Sequence, residues 1–226
     1  MARVRGVILD VDGTLVVSND AHARAWVEAL AEHGVEVDYE RVRRLIGMGG
    51  DKLLPKVSGI RADSPEGQAI TRRRQTIFLE RYLPHLRPTP GAPELLQFLR
   101  DRGFRLSVAS SAKQDELKPL LEICGGERLI EDKTSSDDAD RSKPDPDIVG
   151  AALKKLGLPK DEVLMLGDTP YDVEAARRAG LAILAVRCGG WGDTDLAGAL
   201  AVYDDPADLL AHFGASPLGA SASRRD

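Results

Sequence analysis

Four short apolar runs recur along the chain, each closed by polar or turn-forming residues: "RGVILDV" (5–11), "FRLSVAS" (104–110), "EVLMLGD" (162–168) and "LAILAV" (181–186). They scarcely alternate between apolar and polar positions, which is the pattern of strands covered on both faces, as in a parallel sheet. Between them the period changes to that of a helix. "GAPELLQFLRDRGF" places Leu95, Leu96 and Leu99 before Gly103, and "DPDIVGAALKKLGL" places Ile148, Ala152, Leu153 and Leu156 before Gly157. "YDVEAARRAG" ends at Gly180 in the same way. Glycine closes helices well because it accepts the left-handed conformation that ends them. Strand–helix–strand alternation of this kind predicts an open α/β fold with right-handed crossovers.

One interval breaks the rhythm. About ninety residues separate the first strand from the second, where a single crossover uses roughly thirty. Helical patterns fill it, over residues 19–34, 38–47 and 64–86, the last opening with Ser64 as N-cap and Pro65 at the first helical position. The pattern predicts a helical domain over residues 16–86, inserted into a core made of residues 1–15 and 87–213. The glycine-rich "IGMGGDK" (46–52) reads equally as a substrate-facing loop and as a hinge. The tail "GASPLGASASRRD" (214–226) is small, polar and aperiodic, and is expected to be disordered.

Composition narrows the function classes. A chain of 226 residues with 42% apolar and 30% charged residues can bury a substantial core and is ordinary for a globular protein. Its formal net charge of −5 argues against nucleic acid or an anionic membrane as partner, while leaving room for one basic pocket that holds a small phosphate. Cys124 and Cys188 are too far apart for a CxxC motif and read as reduced thiols. The basic start "MARVRGVILDVDG" meets Asp10 and Asp12 too early for a signal peptide, and no stretch approaches the ~20 apolar residues of a membrane span. A cytoplasmic protein is expected.

The strand ends carry the chemistry, because ligands of open α/β sheets bind beyond the carboxyl ends of the strands. The first strand ends in Asp10 and Asp12, a like-charged pair that stability alone would avoid. The second ends in Ser110, followed by Ser111; the third ends in Asp168, with Asp172 four residues on. Lys143 lies in "RSKPDPD", just before a helix. Such a set suits phosphoryl transfer. A carboxylate attacking a phosphate dianion needs a cation between them, and Asp10, the Asp12 carbonyl and Asp168 offer hard oxygen ligands for Mg²⁺. Lys143 and Ser110 would bind the phosphoryl oxygens. Asp10 would be the nucleophile. Asp12, feeling its charge, is expected to keep its proton to higher pH and act as acid and then base.

"DVDGTL", the Ser110 strand end, "KPDPD" and "GDTPYD", in that order, resemble the four motifs of the haloacid dehalogenase superfamily of phosphohydrolases. The long insertion resembles its helical-cap subfamily. The resemblance implies a Rossmann-like core with a helical cap, Asp10 as nucleophile and Asp12 as general acid/base. It also implies Ser110 and Lys143 as phosphate ligands, with Ser111 beside them, and Asp168 as a metal ligand supported by Asp172, for Mg²⁺. Dehalogenating members lack the second aspartate, so Asp12 points to phosphate esters, of phosphoglycolate or sugar phosphate type. A phosphomutase similar to β-phosphoglucomutase is the nearest rival. That group carries an arginine in the cap loop where this chain has glycines, which favours hydrolysis. A receiver-type signalling domain also combines acids, a hydroxyl and a lysine, but the cap-sized insertion and the position of "GDTPYD" after the lysine count against it.

Within the insertion, His22 and Trp26 lie one helical turn apart and share a face. His22 reads either as a group near the active-site entrance or as a surface histidine beside a packed tryptophan. Lys52, beside the glycine loop, is a candidate substrate contact. The run Arg72–Arg73–Arg74 reads as a solvated helix face, with contact to an anionic substrate as the alternative.

Overall fold

The computed structural model describes residues 3–139 and 141–222. Strand β1 (Gly6–Leu9) is buried throughout and lies near the centre of a six-stranded parallel sheet. The other strands are β2 (Arg105–Ala109), β3 (Asp132–Thr134), β4 (Val163–Gly167), β5 (Ala182–Val186) and β6 (Ala201–Tyr203). Their spatial order is β3-β2-β1-β4-β5-β6. The order reverses at β1, so the crevice beyond the carboxyl ends of β1 and its neighbours is where this topology places a ligand.

Successive residues of the inner strands point to opposite faces. Ile8, Met165 and Ile183 join one apolar cluster with Ile148, Ala152 and Leu156. Val7, Leu9, Leu106, Val108, Leu164 and Leu166 join the other with Leu95, Leu96 and Leu99. Two covered faces explain why the runs read as continuous apolar stretches. Edge strands β3 and β6 are each three residues long, too short to leave a pattern, and they were not foreseen.

Between β1 and β2 the chain forms α1 (Asn19–Glu32), α2 (Tyr39–Arg43), α3 (Gly50–Ser58) and α4 (Pro65–Ile77). Ser64 caps α4 as expected, its side chain accepting from the Gly67 N–H. The predicted helix over 64–86 is broken after Ile77 into a π-turn (Phe78–Tyr82) and a 3₁₀ turn (Leu83–His85), since Pro84 cannot continue an α-helix. Helix α1 packs on both α2 and α4. After β1's insertion come α5 (Ala92–Asp101), α6 (Gln114–Ile123), α7 (Asp147–Leu156) and α8 (Pro170–Ala179), which cover the sheet; α9 (Pro206–Ala211) and α10 (Pro217–Ala222) follow β6.

The expected disorder over 214–226 is corrected for its first part. Ser216 accepts a hydrogen bond from the Gly219 N–H, Leu218 is buried, and Phe213 stands edge-on to Phe98 and Phe104. One leucine and one cap suffice to dock so short a helix, and neither gives a periodic signal. Residues 223–226 lie outside the described residues. No helix among the described residues is long and apolar enough to cross a membrane.

Candidate active site

Beyond Leu9 the chain leaves the sheet, but the Asp10 N–H still donates to the Leu166 carbonyl at 2.9 Å, which fixes Asp10 at the lip of β1. The chain then turns back. The N–H groups of Leu15 and Val16 both donate to the Val11 carbonyl, and Gly13 takes φ +84°, a conformation that favours glycine. A Cβ at Gly13 or Gly189 would collide with the Asp168 carboxylate, so the two glycines leave room for an acid that β4 delivers from the other side.

Three acids converge there. Oxygen atoms of Asp10, Asp168 and Asp172 all lie within 4.8 Å of one another, and all three residues are buried. Lys143, 1% exposed, reaches between them, with Nζ 2.5 Å from Asp10 Oδ1 and 2.8 Å from Asp172 Oδ1. Asp168 accepts from the Thr14 hydroxyl and from Asn19 Nδ2, both at 2.9 Å, and Thr14 Oγ1 lies 3.2 Å from Asp10 Oδ2. Asp172 shares a reciprocal cap with Thr169 at the start of α8. Its Oδ2 belongs to the cap, and its Oδ1 faces the lysine.

One lysine does not balance three buried carboxylates. Burial pushes Asp10 up, the Lys143 charge pulls it back, and Asp172 and Asp12 push again, leaving its pKa at about 7. Burial, with the charges of Asp10 and Asp172, holds Asp168 well above the ordinary carboxylate value. For Lys143 burial works against the charge, but Asp10 and Asp172 outweigh it and the ammonium is retained. Hard, closely spaced oxygen donors with an excess of negative charge are the donor set that Mg²⁺ takes. The residues therefore fit the metal that the motifs imply.

Asp12 behaves differently. Its carboxylate turns from the three acids toward α1, accepting from Ser18 Oγ at 2.6 Å and meeting His22 Nε2 at 2.8 Å. Its backbone carbonyl is left as the candidate metal donor. Burial pushes the Asp12 carboxyl up, but the His22 charge and hydrogen bond and the Ser18 hydroxyl together pull it below its ordinary value. Without a cation at the site, Asp10 is the acid raised and Asp12 the one lowered; the order expected from the sequence is that of Asp10 held ionised on the metal. A partner from the insertion outweighs repulsion between neighbours in sequence.

The remaining expected residues divide. Ser110 is fully buried at the end of β2, its Oγ accepting from the Ala112 N–H at 3.0 Å. Ser111, His22, Trp26 and Met48 line a space of about 40 Å³ with Asp10 and Asp12. His22 is buried, stacked on Phe78 at 3.9 Å between centroids, so it is not a surface histidine. The loop containing Gly47 and Met48 forms one wall, and Ser111 Oγ lies 3.5 Å from the Gly47 carbonyl. Lys52 does not line this space. Its Nζ donates to the Ser142 carbonyl at 2.5 Å and pairs with Asp145 at 2.6 Å, clasping the loop that carries Lys143. Ser142 completes the clasp by accepting from the Gly49 N–H and donating to Asp51.

The run Arg72–Arg74 also divides. Arg73 pairs with Glu32 on the surface, whereas Arg74 is buried against Glu116 at the wall of that space. Thr14, Ser18, Asn19 and Glu116 were missed as site residues. The available signal was the face of α1. Ser18, His22 and Trp26 follow at intervals of four, with Asn19 three before His22, a polar stripe on what proves to be the buried side.

Comparison with known proteins now bears on this geometry. A family model described as haloacid dehalogenase-like hydrolase matches residues 4–180. The chain belongs to this family. It is similar to the phosphoglycolate phosphatase of Rhodospirillum rubrum, with 36% identity over 91% of this chain and 89% of the relative. It is also similar to the N-acetylmuramic acid 6-phosphate phosphatase of Pseudomonas aeruginosa, with 31% identity over 96% of this chain and 90% of the relative. Among solved structures, a candidate β-phosphoglucomutase from Bacteroides vulgatus superposes with a TM-score of 0.85 at 25% identity, over 98% of this chain and 91% of that one. Hydrolase family and Rossmann-like α/β core agree with the expectation from the motifs.

Proposed function

We propose that this member of the family is a Mg²⁺-dependent phosphatase that hydrolyses a small phosphate monoester through an aspartyl-phosphate on Asp10. The observation that carries the reading is the buried triad Asp10, Asp168 and Asp172 clamped by Lys143, with Asp12 turned toward a histidine beside it. The two phosphatase relatives support it.

Asp10, Asp168 and the Asp12 carbonyl would hold the cation, with Asp172 in support, and its charge would keep Asp10 ionised and offset the repulsion between Asp10 and the phosphate. Asp10 Oδ attacks phosphorus as the bond to the leaving oxygen breaks. A proton held between His22 Nε2 and Asp12 passes to that oxygen, and the alcohol departs. Asp12 then takes a proton from water, whose oxygen attacks phosphorus; the bond to Asp10 breaks and inorganic phosphate leaves. Lys143 stays charged throughout, positioned by two carboxylates to bind phosphoryl oxygens. The helical segment 16–86 serves as the cap that brings His22 to Asp12.

Phosphate release from a panel of monoesters, with Mg²⁺ and with chelator, tests the reading. Metal-dependent release from one or a few esters is expected; absence of release from every ester overturns it. The phosphomutase reading rests on the structural likeness to the Bacteroides vulgatus protein. A mutase must hold a second phosphate with cations of the cap loop. Here Gly47, Gly49 and Gly50 offer none, and Lys52 is engaged elsewhere. A requirement for catalytic amounts of a sugar bisphosphate would favour the mutase.

A further inference from the structure

The space above Asp10 holds about 40 Å³, room for only a few atoms, so most of a leaving alcohol must extend beyond it. Three residues of that wall, Gly50, Arg74 and Ser111, also line a second cavity of about 550 Å³ between α4 and the loops after β2 and β3. A cavity of that size falls within the range that holds whole small molecules. Arg74 therefore stands on the boundary between the space for the phosphate and the space for the rest of the substrate.

Arg74 is 9% exposed and held from two sides. Its Nη1 donates to both oxygens of Glu116, at 2.9 and 2.8 Å, and its guanidinium lies over the Trp26 ring at 5.2 Å. Only Nη1 is used. Nε is buried without a hydrogen-bond partner, and Nη2 makes no hydrogen bond among the described residues. Leaving a buried charged donor unmet is costly, and here the unmet edge is a fixed pair of parallel N–H groups. A planar carboxylate with two acceptor oxygens satisfies such an edge side-on. Glu116 does not have to move, because it holds the opposite corner of the guanidinium. Arg72 and Lys113 line the larger cavity together with Asp51 and Asp137; the two cations form no ion pair among the described residues and offset the charge of the two acids.

We propose that the leaving alcohol of the substrate bears a carboxylate, that Arg74 is the specificity residue that reads it through Nε and Nη2, and that the remainder of a sugar-sized alcohol occupies the larger cavity. This rests on the phosphatase reading and narrows its substrate class to acidic phosphate monoesters. Glu116 is a positioning residue that fixes the arginine.

The test uses matched esters with Mg²⁺. N-acetylmuramic acid 6-phosphate is compared with N-acetylglucosamine 6-phosphate, which lacks only the lactyl acid, and phosphoglycolate with ethyl phosphate; 4-nitrophenyl phosphate reports hydrolysis as such. In at least one pair the acid is favoured in kcat/KM by about tenfold or more, carried mainly by KM. Arg74→Gln reduces that ratio to within about twofold, and Arg74→Lys leaves an intermediate value because it keeps the charge but not the two-donor edge. Since Arg74→Gln strands Glu116, the double variant R74Q/E116Q is measured beside it and loses the ratio in the same way. Hydrolysis of 4-nitrophenyl phosphate with no acid preference in either pair overturns the proposal, as does a ratio unchanged in the variants. No hydrolysis of any ester, 4-nitrophenyl phosphate included, overturns the phosphatase reading and this proposal with it.

Discussion

The carboxyl edge of the sheet and the inner face of the helical insertion contribute to one site by opposite means. At the sheet edge, three acids and one lysine are locked by backbone ladder, cap and ion pair, and the cost is concentrated charge. On the insertion, His22 and Arg74 sit on ordinary helices among apolar neighbours and meet the core through single contacts, His22 with Asp12 and Arg74 with Glu116. In the proposed reaction the first region would supply the reacting acids; the second lowers the proton affinity of Asp12 and borders the space beside it. The difference teaches that the reactive acids are defined by the sheet, but the pKa of Asp12 is set from outside it.

The strongest way to break this division is at the nucleophile. Asp10→Asn keeps volume and removes the attacking charge, so phosphate release should fall by at least ~10³-fold, with the circular dichroism spectrum unchanged; near-normal turnover would remove Asp10 from the role. Lys143→Met should destabilise the metal-free protein by roughly 3–5 kcal/mol at pH 8, as expected when one partner of a buried ion pair is deleted. The loss should be smaller at pH 5, where Asp10 binds a proton instead. Urea unfolding in chelator measures both.

A third test needs no variant. The folded-state pKa of Asp10 is raised to about 7 from the ordinary carboxylate value of 3.8. Between those pH values the folded protein keeps a proton that the unfolded chain has released, so stability should fall as pH rises across that window. Asp168 is displaced in the same direction and adds to the slope, while Lys143 is charged in both states. Thermal unfolding in chelator should thus show a lower Tm at pH 8 than at pH 5, and Mg²⁺ should raise Tm more at pH 8. A flat profile would mean that the acids are not strained by one another.

Two weaker tests sharpen the role of the insertion. His22→Asn removes the charge that pulls Asp12 down; burial then prevails. The limb of the kcat/KM profile belonging to Asp12 should move to higher pH, with a loss of about tenfold in kcat. An unmoved profile would reduce His22 to packing. Lys52→Ala should cost no more than about 1 kcal/mol, because the pair with Asp145 is partly solvated; a large loss of kcat would instead make the clasp on the Lys143 loop part of the catalytic step.

Much of the sheet edge was legible because each acid falls at the end of an apolar run, where the chain must leave the sheet and the period of the pattern stops. Thr14 stood inside the same motif. Arg74 was not legible, since three consecutive arginines on a helix differ only in angle, and which one faces inward depends on how α4 lies against α1 and α6. Strands β3 and β6 escaped because three residues carry no period. The lowering of Asp12 was not legible for a related reason. Separation along the chain made Asp10 the obvious influence on Asp12, whereas the decisive neighbour, His22, arrives by folding.

Thr14 has one hydroxyl hydrogen and two carboxylates within reach, Asp168 at 2.9 Å and Asp10 at 3.2 Å. A hydroxyl can point only one way at a time, so the two acids compete for a single donor. The nearer distance gives it to Asp168, and Asp10 goes without. In the proposed reaction this orientation would keep the Thr14 hydrogen off the oxygen that attacks and on an acid that would not.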